Sequence, residues 1–461
     1  MTERGPLTAV SPLDGRYARY TEPLTPYASE QALMRARVEV EIEYLIALAD
    51  LDAVSLSFTE EEIETLRAIY EEFDDEDADV IKQLETEGYG QYSATNHDVK
   101  AVEYFIRLRL PEETEIDQWI HFGLTSEDVN NLAHRLLVDG AVEEVLLPTL
   151  YERRDDLVEL AQQYREVPML ARTHGQPATP TTFGKEMAVY ASRLGQQIAR
   201  IEQAHEGLSG KLAGASGTYA AHHAAFPEVD WPAFAEDFVA ELGFEHEPLT
   251  TQVNPCDDLA ELFDALQGAN NVLLDLDLDA WLYISDRYLG QQTVEGETGS
   301  STMPHKVNPI DFENSEGNLS KANSDLHFLA GYVTNSRLQR DLSDSTVKRN
   351  IGAAFAHCLI GYQKLGNGLA KVVPNEQVMR EELEATPEII GEAVQTILRR
   401  EGHTDAYEQV KELTRGERVE LDDFQELFAD LDVPEEVRAE LRALTPTGYT
   451  GVADELVGGL E

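Results

Sequence analysis

The stretch LFDALQGANNVLLDLDLDAWLYI, Leu262–Ile284, gives the clearest indication of the fold class. Its apolar residues occupy more than one face of a helix, and it belongs to a longer helical pattern that covers residues 258–289. A helix of about 30 residues is about 45 Å long, which is more than a small domain needs. Because a helix that is apolar on most sides must be buried among other helices or subunits, the stretch predicts a bundle of long helices.

Three other segments show the helical spacing of apolar residues, and alternating β-strand patterns are few. The segments are residues 29–50, behind a possible Ser29 cap; residues 126–164, with Ser126 as a possible cap and an interruption near Gly140 or Pro148; and residues 183–208. The chain is therefore predicted to be all-α.

At 461 residues the chain is too long for one compact core. Pro111 with the acidic run after it indicates one boundary, and the region Gly366–Pro374 indicates a second. We expect a three-domain elongated helical protein: an N-terminal helical domain over residues 1–111, a central long-helix bundle over residues 112–365 and a C-terminal helical domain over residues 366–461.

Charge is the extreme feature of the composition, with 87 acidic against 36 basic residues and a formal net charge of -51. Such a chain is a poor ligand for nucleic acid, so that class of partner is excluded. Because self-repulsion would destabilise it in dilute buffer, the composition predicts adaptation to concentrated salt, hence a halophilic source.

No apolar run of 18 residues and no secretory leader pattern occur, which predicts a cytoplasmic protein without membrane spans. The two cysteines, Cys256 and Cys358, lack the spacing of metal ligands and are expected to be buried thiols. No metal or organic cofactor is expected.

The segment GSSTMPHKVNP, Gly299–Pro309, predicts an ordered loop, since Gly and Pro interrupt regular structure. Ser300 and Ser301 supply hydroxyl groups and Lys306 supplies a cation, a composition that suits an anion site. Taken alone, Gly-Ser-Ser is more often a simple turn or cap, so the loop by itself leaves both interpretations open.

The loop and its continuation VNPIDFENSEGN resemble the signature of the superfamily of fumarase, aspartase and argininosuccinate lyase, in the form typical of the adenylosuccinate lyase family. Five further motifs resemble the same family in the same order. They are SPLDGRY (residues 11–17), TNHDVKAVEYF (95–105), HFGLTSEDVNN (121–131), RTHGQPATPTTFGKE (172–186) and QRDLSDSTVKRNIG (339–352).

The resemblance implies a carbon–nitrogen lyase that releases fumarate from adenylosuccinate, giving AMP, and from succinylaminoimidazole carboxamide ribotide in purine nucleotide biosynthesis. It also implies a homotetramer in which three subunits share each active site. Such an elimination needs a base, a cationic anion site and an acid for the leaving nitrogen. By resemblance, Ser300 is the base on a mobile loop and His174 the acid; His97 is the second candidate acid, and the sequence does not decide between the two histidines.

The remaining matched positions are implied to bind the small-molecule substrate. The nucleotide end is assigned to Arg16, Tyr17, Ser345, Thr346, Val347, Lys348 and Arg349, and the succinyl carboxylates to Thr125, Ser126, Lys306 and Asn308. The set is completed by Asn96, His97, Asp98, Gln252, Ser301, Val307, Asn314 and Arg340. Capping is the alternative role for Thr125 and Ser126, and pairing with Asp341 or Asp344 is the alternative for Arg340.

Three rival functions stay open at this point. Another fumarate-releasing lyase of the superfamily, such as argininosuccinate lyase, would share Ser300 and Lys306, and His97 and His305 discriminate against it. A helical structural protein would be expected to lose the base or the acid. A nucleotide-binding regulator would keep Arg16 and the STVKR segment without needing Ser300.

Overall fold

The computed structural model describes residues 5–111, 115–292, 306–414 and 419–460, and within them the chain is mostly helical, as the sequence predicts. The α-helices are α1 Ala18–Thr21, α2 Thr25–Ala28, α3 Glu30–Ala49, α4 Glu60–Glu71, α5 Asp75–Thr86, α6 Asp98–Arg109, α7 Ser126–Ala141, α8 Leu147–Gln163, α9 Phe183–Glu206, α10 Ala220–Ala225, α11 Trp231–Glu241, α12 Asp257–Ser285, α13 Ile310–Val333, α14 Ser343–Lys348, α15 Ile351–Leu369, α16 Glu376–Glu384, α17 Gly391–Arg400, α18 Ala406–Thr414, α19 Leu421–Asp430, α20 Glu435–Ala443 and α21 Ala453–Gly458.

The strands form short pairs. They are β1 Gly88–Tyr89, β2 Tyr92–Ser93, β3 Pro168–Thr173, β4 Gln176–Thr182, β5 Ser209–Gly210, β6 Glu245–His246, β7 Leu289–Gln291 and β8 Val372–Pro374. Pairs β1–β2, β3–β4 and β7–β8 are antiparallel, and β5–β6 is parallel. Short 3₁₀ turns cover Pro6–Thr8, Glu22–Leu24, Glu115–Gln118 and Pro387–Ile390.

The described residues fall into two compact units. The first draws on Met1–Leu150, Gln197–Asn271 and Gly317–Gln363, and the second on Tyr151–Gln196, Val272–Glu316 and Lys364–Glu461. The three domain limits expected from the sequence stay a prediction. No helix among the described residues is both long and apolar enough to cross a membrane.

The predicted long helices are confirmed with small shifts at their ends. Helix α3 begins after Ser29, whose hydroxyl accepts the Ala32 amide at 3.0 Å, so this residue is the expected cap. Helix α9 ends two residues before the predicted limit and α12 ends at Ser285, four residues early, because the chain turns into β7. Cys256 and Cys358 are buried free thiols, as predicted.

The predicted interruption of the segment 126–164 is a π turn and not a break. Residues Val142–Leu146 form this turn between α7 and α8, so the chain continues in one direction past Gly140. Gly140 is required by packing, since a Cβ there would lie 2.4 Å from the Tyr27 ring. Pro148, which has no backbone N–H, follows the π turn directly.

In the first unit, buried amides join three of the long helices. Asn270 of α12 is fully buried; its amide donates to Asn323 Oδ1 of α13 at 2.9 Å, and its carbonyl accepts the Tyr362 hydroxyl of α15 at 2.7 Å. Because both the N–H and the carbonyl group of the buried Asn270 amide have partners, these contacts fix which helix faces meet.

In the second unit, the C-terminal helices share a core of their own. Phe424 and Phe428 of α19 are fully buried and pack with residues of α16, α17, α18 and α20. Leu170 of β3 belongs to the same cluster. The hairpin β3–β4 is thus anchored by apolar contact to the C-terminal helices.

One buried carboxyl group in the second unit has no cationic partner among the described residues. Asp277 of α12 is 2% exposed and faces Ser315 of α13. Burial, the largest cause, together with the negative charge of Glu316 raises the pKa of Asp277 to about 8 from its usual 3.8. The folded chain therefore holds this group as the neutral acid near neutral pH.

We expect Asp277→Asn to raise the melting temperature by about 5 °C at pH 8 and to leave it unchanged near pH 4. The unfolded chain releases this proton near pH 3.8, whereas the folded chain keeps it up to about pH 8, so the group's contribution to stability is lost as pH rises between those values. Thermal melts at constant salt measure the effect. The control is Asp275→Asn, an exposed residue of the same helix; equal shifts in both variants would contradict the assignment.

Candidate active site

The amino end of α7 carries two of the predicted binding residues. Thr125, with an extended backbone, is the cap, and Ser126 is the first helical residue; Ser126 itself is therefore not the cap that the sequence suggested. The Thr125 amide donates to Asp128 Oδ2 at 2.8 Å. Both Thr125 and Ser126 are half-buried at a helix N-terminus, where free amides favour an anion.

Behind Ser126, Glu127 ties α7 to the predicted segment 339–349. Its carboxylate lies 3.3 Å from Lys348 Nζ and 3.5 Å from Arg340 Nη2. Arg340 therefore pairs with Glu127, whereas the sequence had suggested Asp341 or Asp344 as its partner.

Lys348 is 3% exposed and also pairs with Asp344 at 3.1 Å. Its charge is thus engaged inside the first unit. The neighbouring residues of α14 differ in access: Ser345 and Val347 are half-buried and Thr346 is exposed. Arg349 is also exposed at the end of this helix.

Arg340 also reaches a second predicted residue. Its Nη1 donates to Gln252 Oε1 at 3.2 Å, and Gln252 Nε2 donates to the Ala215 carbonyl at 2.9 Å. Both ends of the Gln252 amide are therefore held, and the segment 339–349 is fixed to the loop before α12.

The TNHD motif precedes and opens α6. Asn96 adopts a left-handed backbone with φ of 49°, and His97 caps the helix by accepting the Lys100 amide on Nδ1 at 3.3 Å. Because Nδ1 is an acceptor, the neutral His97 ring carries its proton on Nε2. The ring is about half exposed, so this N–H is a donor available to a ligand.

Asp98 lies between two arginines, Arg37 at 2.8 Å and Arg349 at 3.3 Å. Burial acts to raise the pKa of Asp98, but the charges and hydrogen bonds of its neighbours outweigh it and hold the pKa below its usual value. Arg37, 2% exposed, also donates to Asn130 Oδ1 at 2.8 Å. The TNHD, TSED and STVKR motifs are thus joined inside one unit.

The SPLDGRY segment lines one wall of a cavity of about 450 Å³ in the first unit. Ser11, Leu13 and Asp14 face it, and Arg349 and Asn350 line the same cavity. The amides of Gly15 and Tyr17 both donate to the Pro12 carbonyl, so the chain turns around Arg16. Arg16 is exposed and Tyr17 half-buried.

In the second unit, His174 stands at the tip of the hairpin β3–β4. His174 and Gly175 have φ of 56° and 72°, which is the left-handed pair of a two-residue type I′ turn. The chain therefore turns sharply here, and the sequence did not indicate the strands on either side, because prolines at 168, 177 and 180 argue against a central strand. A two-stranded hairpin tolerates them, since every strand is an edge.

The predicted residues after the loop lie at the start of α13, also in the second unit. Lys306 and Val307 are exposed, and Asn308 and Asn314 are half-buried. Gln291 Nε2 donates to the Val307 carbonyl at 2.9 Å. Ser300, Ser301 and His305 lie outside the described residues.

The sequence model of the family described as "Lyase" matches residues 15–323, and that described as "Adenylosuccinate lyase C-terminal" matches residues 336–450. The chain is 46% identical over 464 residues to the adenylosuccinate lyase of Escherichia coli (strain K12), covering 100% of both. It is 45% identical to the adenylosuccinate lyase of Dictyostelium discoideum, covering 97% of both.

This chain belongs to the adenylosuccinate lyase family.

Solved structures share the fold of this member of the adenylosuccinate lyase family. A fumarate lyase from Mesorhizobium sp. BNC1 superposes with a TM-score of 0.75 at 20% identity, covering 96% of this chain and 97% of that one. A 3-carboxy-cis,cis-muconate lactonizing enzyme from Pseudomonas putida gives 0.73 at 20% identity, covering 94% and 95%. At that identity the likeness concerns the fold alone.

Sequence reasoning missed the buried charges that support the site in this adenylosuccinate lyase family member. Arg37, Glu127, Asp128 and Lys211 are all buried and paired. Glu127 and Asp128 stand inside the motif HFGLTSEDVNN, but a local pattern does not show which acidic side chains become buried. For Lys211 the available signal was its place in the glycine-rich run LSGKLAGASG, which has no acidic neighbour.

One group among the described residues has the types and distances of a metal site: Asp139, Glu143 and His205. His205 Nε2 lies 2.8 Å from Asp139 Oδ1. The hydrogen bond that His205 donates to Asp139, the largest cause, raises the pKa of His205 and favours the imidazolium. An ion pair between His205 and Asp139 therefore explains why these side chains lie close together.

Proposed function

We propose that this carbon–nitrogen lyase splits adenylosuccinate into AMP and fumarate, and the succinylated aminoimidazole carboxamide ribotide into its carboxamide and fumarate. The observation that carries the proposal is the full-length similarity to adenylosuccinate lyases, with 46% identity over the whole chain. The match of the C-terminal family model to residues 336–450 favours this reaction over that of other superfamily lyases.

The reaction removes a weakly acidic proton from the carbon beside a carboxylate while the carbon–nitrogen bond breaks. We assign the base to Ser300, whose hydroxyl needs nearby positive charge, such as that of Lys306, to lose its proton. The leaving nitrogen must gain a proton, and His174 is assigned that role. Its place at a hairpin tip, exposed and on a left-handed backbone, supports a ring that projects towards a ligand.

His97 is assigned to the same end of the substrate as a hydrogen-bond donor. Its Nδ1 already accepts the Lys100 amide, so only Nε2 can serve a ligand. In the neutral His97 ring, Nε2 carries a proton, so it can donate a hydrogen bond to a substrate oxygen while the ring stays uncharged. The tautomer thus supports His174 as the acid and His97 as its assistant.

The two ends of the substrate are assigned to different residues. Arg349 lines the 450 Å³ cavity beside the SPLDGRY segment, which supports the nucleotide end for Arg16, Tyr17 and Ser345–Arg349. The half-buried N-terminus of α7 supports the succinyl carboxylates for Thr125 and Ser126, with Lys306 and Asn308. Because Lys348 is buried and already paired, we assign it to holding its neighbours in place.

We expect purified protein to convert adenylosuccinate to AMP and fumarate in about 2 M KCl, where charges are screened within about 3 Å. Ser300→Ala should lower kcat by about 1,000-fold or more with little change in KM, because the base acts only as the transition state forms. Ultraviolet absorbance follows the reaction.

The control variant for this test is Ser57→Ala, an exposed loop residue that should keep wild-type rates. If the wild-type protein cleaved argininosuccinate but not adenylosuccinate, the proposed reaction would be wrong and the chain would have the activity of another lyase of the superfamily. Normal turnover by Ser300→Ala would overturn the assignment of the base alone.

We also propose a homotetramer in which three subunits contribute to each active site. Helix α12 supports it, since Leu278, Trp281 and Leu282 are 50%, 44% and 52% exposed. Their spacing of three and four residues places them on one helix face. Such an apolar face on a long helix is typical of a subunit interface.

A charge placed on this face should separate the subunits. We expect Trp281→Asp to convert the tetramer to smaller species and to abolish turnover, because the buried apolar contact is lost. Light scattering after size exclusion measures the mass. Leu456→Asp is the control, since Leu456 is also an exposed apolar residue, at 63%, but lies on α21; a tetrameric Trp281→Asp protein would contradict the proposed interface.

The proposed source is a halophile and the proposed compartment the cytoplasm. The excess of 87 acidic over 36 basic residues supports adaptation to salt, because the repulsion between them falls as the screening length shrinks. Exposed ion pairs such as Arg400–Glu440 weaken in the same salt, but such pairs contribute little to the stability of the fold.

We expect the melting temperature and kcat/KM to rise together between 0.1 M and 2 M KCl. The screening length drops from about 10 Å to about 3 Å or less over that range, which relieves self-repulsion and the repulsion of an anionic substrate. Thermal melts and initial rates at fixed pH measure both. The adenylosuccinate lyase of Escherichia coli is the control, and an equal salt response in both proteins would contradict the proposed adaptation.

A further inference from the structure

A buried ion pair lies directly behind the turn that carries Thr125 and Ser126. Asp128 and Lys211 are both fully buried at 0% exposure, and Lys211 Nζ lies 2.6 Å from Asp128 Oδ1. Burial of a charge costs several kcal/mol unless it is paired and hydrogen-bonded. The pair must therefore be well compensated, and its remaining contacts show how.

The Asp128 carboxylate accepts hydrogen bonds from two separate segments. Oδ2 accepts the Thr125 amide at 2.8 Å, and Oδ1 accepts the amides of Ala213 at 3.0 Å and Gly214 at 3.2 Å. Lys211 Nζ donates in addition to the Gly214 carbonyl at 2.8 Å. One carboxylate thus sets the distance between the turn at Thr125 and the segment 211–214.

The segment 211–214 leads directly to other residues assigned to the substrate. Ala215, the next residue, accepts the Gln252 side-chain amide at 2.9 Å, and Gln252 in turn holds Arg340. A shift of Asp128 would therefore move Thr125 relative to Gln252. The chain of contacts lies wholly within the first unit.

The surroundings leave the pair little freedom. Asn131 donates to the Lys211 carbonyl and accepts the Lys211 amide, both at 2.8 Å. Gly123, with φ of 71°, lies against the His222 ring, where an added Cβ would be 2.6 Å from ring atoms. The turn before Thr125 is therefore held by packing against His222 as well as by its hydrogen bond to Asp128.

We propose that the Asp128–Lys211 pair is a positioning device that holds the carboxylate-binding turn Thr125–Ser126 at a fixed distance from Gln252. The inference rests on the proposed function and adds two residues to it. Neither side chain reaches the surface, so neither touches substrate, and both act through Thr125 and the segment 213–215. The pair sets affinity for the dicarboxylate end of the substrate, and the nucleotide end depends on other contacts.

The chain offers a matched control for this role. Arg135 and Asp258 form another buried pair in the same unit, 0% and 6% exposed, with a closest distance of 2.7 Å. Asp258 Oδ2 also accepts a backbone amide, that of Ser209. The two pairs thus have similar burial, but among the described residues the hydrogen bonds of Arg135 and Asp258 do not extend to a residue assigned to the substrate.

The experiment compares Asp128→Asn, Lys211→Met and Asp258→Asn in the reverse reaction, from AMP and fumarate to adenylosuccinate. We expect the first two to raise KM for fumarate about tenfold or more while KM for AMP changes less than about twofold, and to lower forward kcat/KM about 100-fold. Asp258→Asn should lower the melting temperature without separating the two KM values.

A double variant separates positioning from stability. Asp128→Asn with Lys211→Met removes both charges, so it should recover much of the lost melting temperature. It should not recover KM for fumarate, because Thr125 and the amides of 213–214 still lack their carboxylate. Recovery of both would overturn the proposal and make the pair a stability element.

Other outcomes also decide the matter. Equal increases in both KM values, or failure of both single variants to fold as the wild type does, would overturn the positioning role. Wild-type protein that makes no adenylosuccinate in the same assay would contradict the proposed function and this inference together. A functional wild type with unselective variants would contradict this inference alone.

Discussion

The need to compensate two adjacent buried carboxylates, Glu127 and Asp128, organises the first unit. Neither has water to stabilise its charge, so each must meet cations or backbone amides within the fold. Glu127 meets Lys348 and Arg340, and Asp128 meets Lys211. Because these partners come from distant parts of the sequence, satisfying two side chains brings together segments that carry several of the assigned binding residues.

This arrangement divides the cations of an acidic chain into two groups. Arg37, Lys211 and Lys348 are buried and neutralise internal carboxylates. Arg16 and Arg349 remain exposed, so they can contact an anionic substrate directly. The net charge of -51 repels an anionic substrate at low ionic strength. Binding therefore needs both short-range contacts with exposed cations and screening of the repulsion by salt.

Tight backbone turns recur where assigned residues project. Asn96, His174 and Gly175 have positive φ, and each belongs to a motif carried over from the family. For Asn96 and His174 this conformation costs free energy that an isolated peptide would avoid, so the surrounding structure must hold it. The helices supply rigid supports, and the short turns between or beside them direct the side chains.

Helix periodicity and the order of the motifs were enough to predict the all-α class, the long helices and the family, because both are properties of local sequence. The hairpin at His174 was not predicted, because its prolines disfavour strands. Pairing between β3 and β4 outweighs that local preference in the folded chain. The partners of Arg340, Asp98 and Lys211 were likewise decided by the tertiary structure. A charged side chain pairs with the groups that the fold places within about 3 Å of it. The spacing of residues along the sequence does not determine that distance.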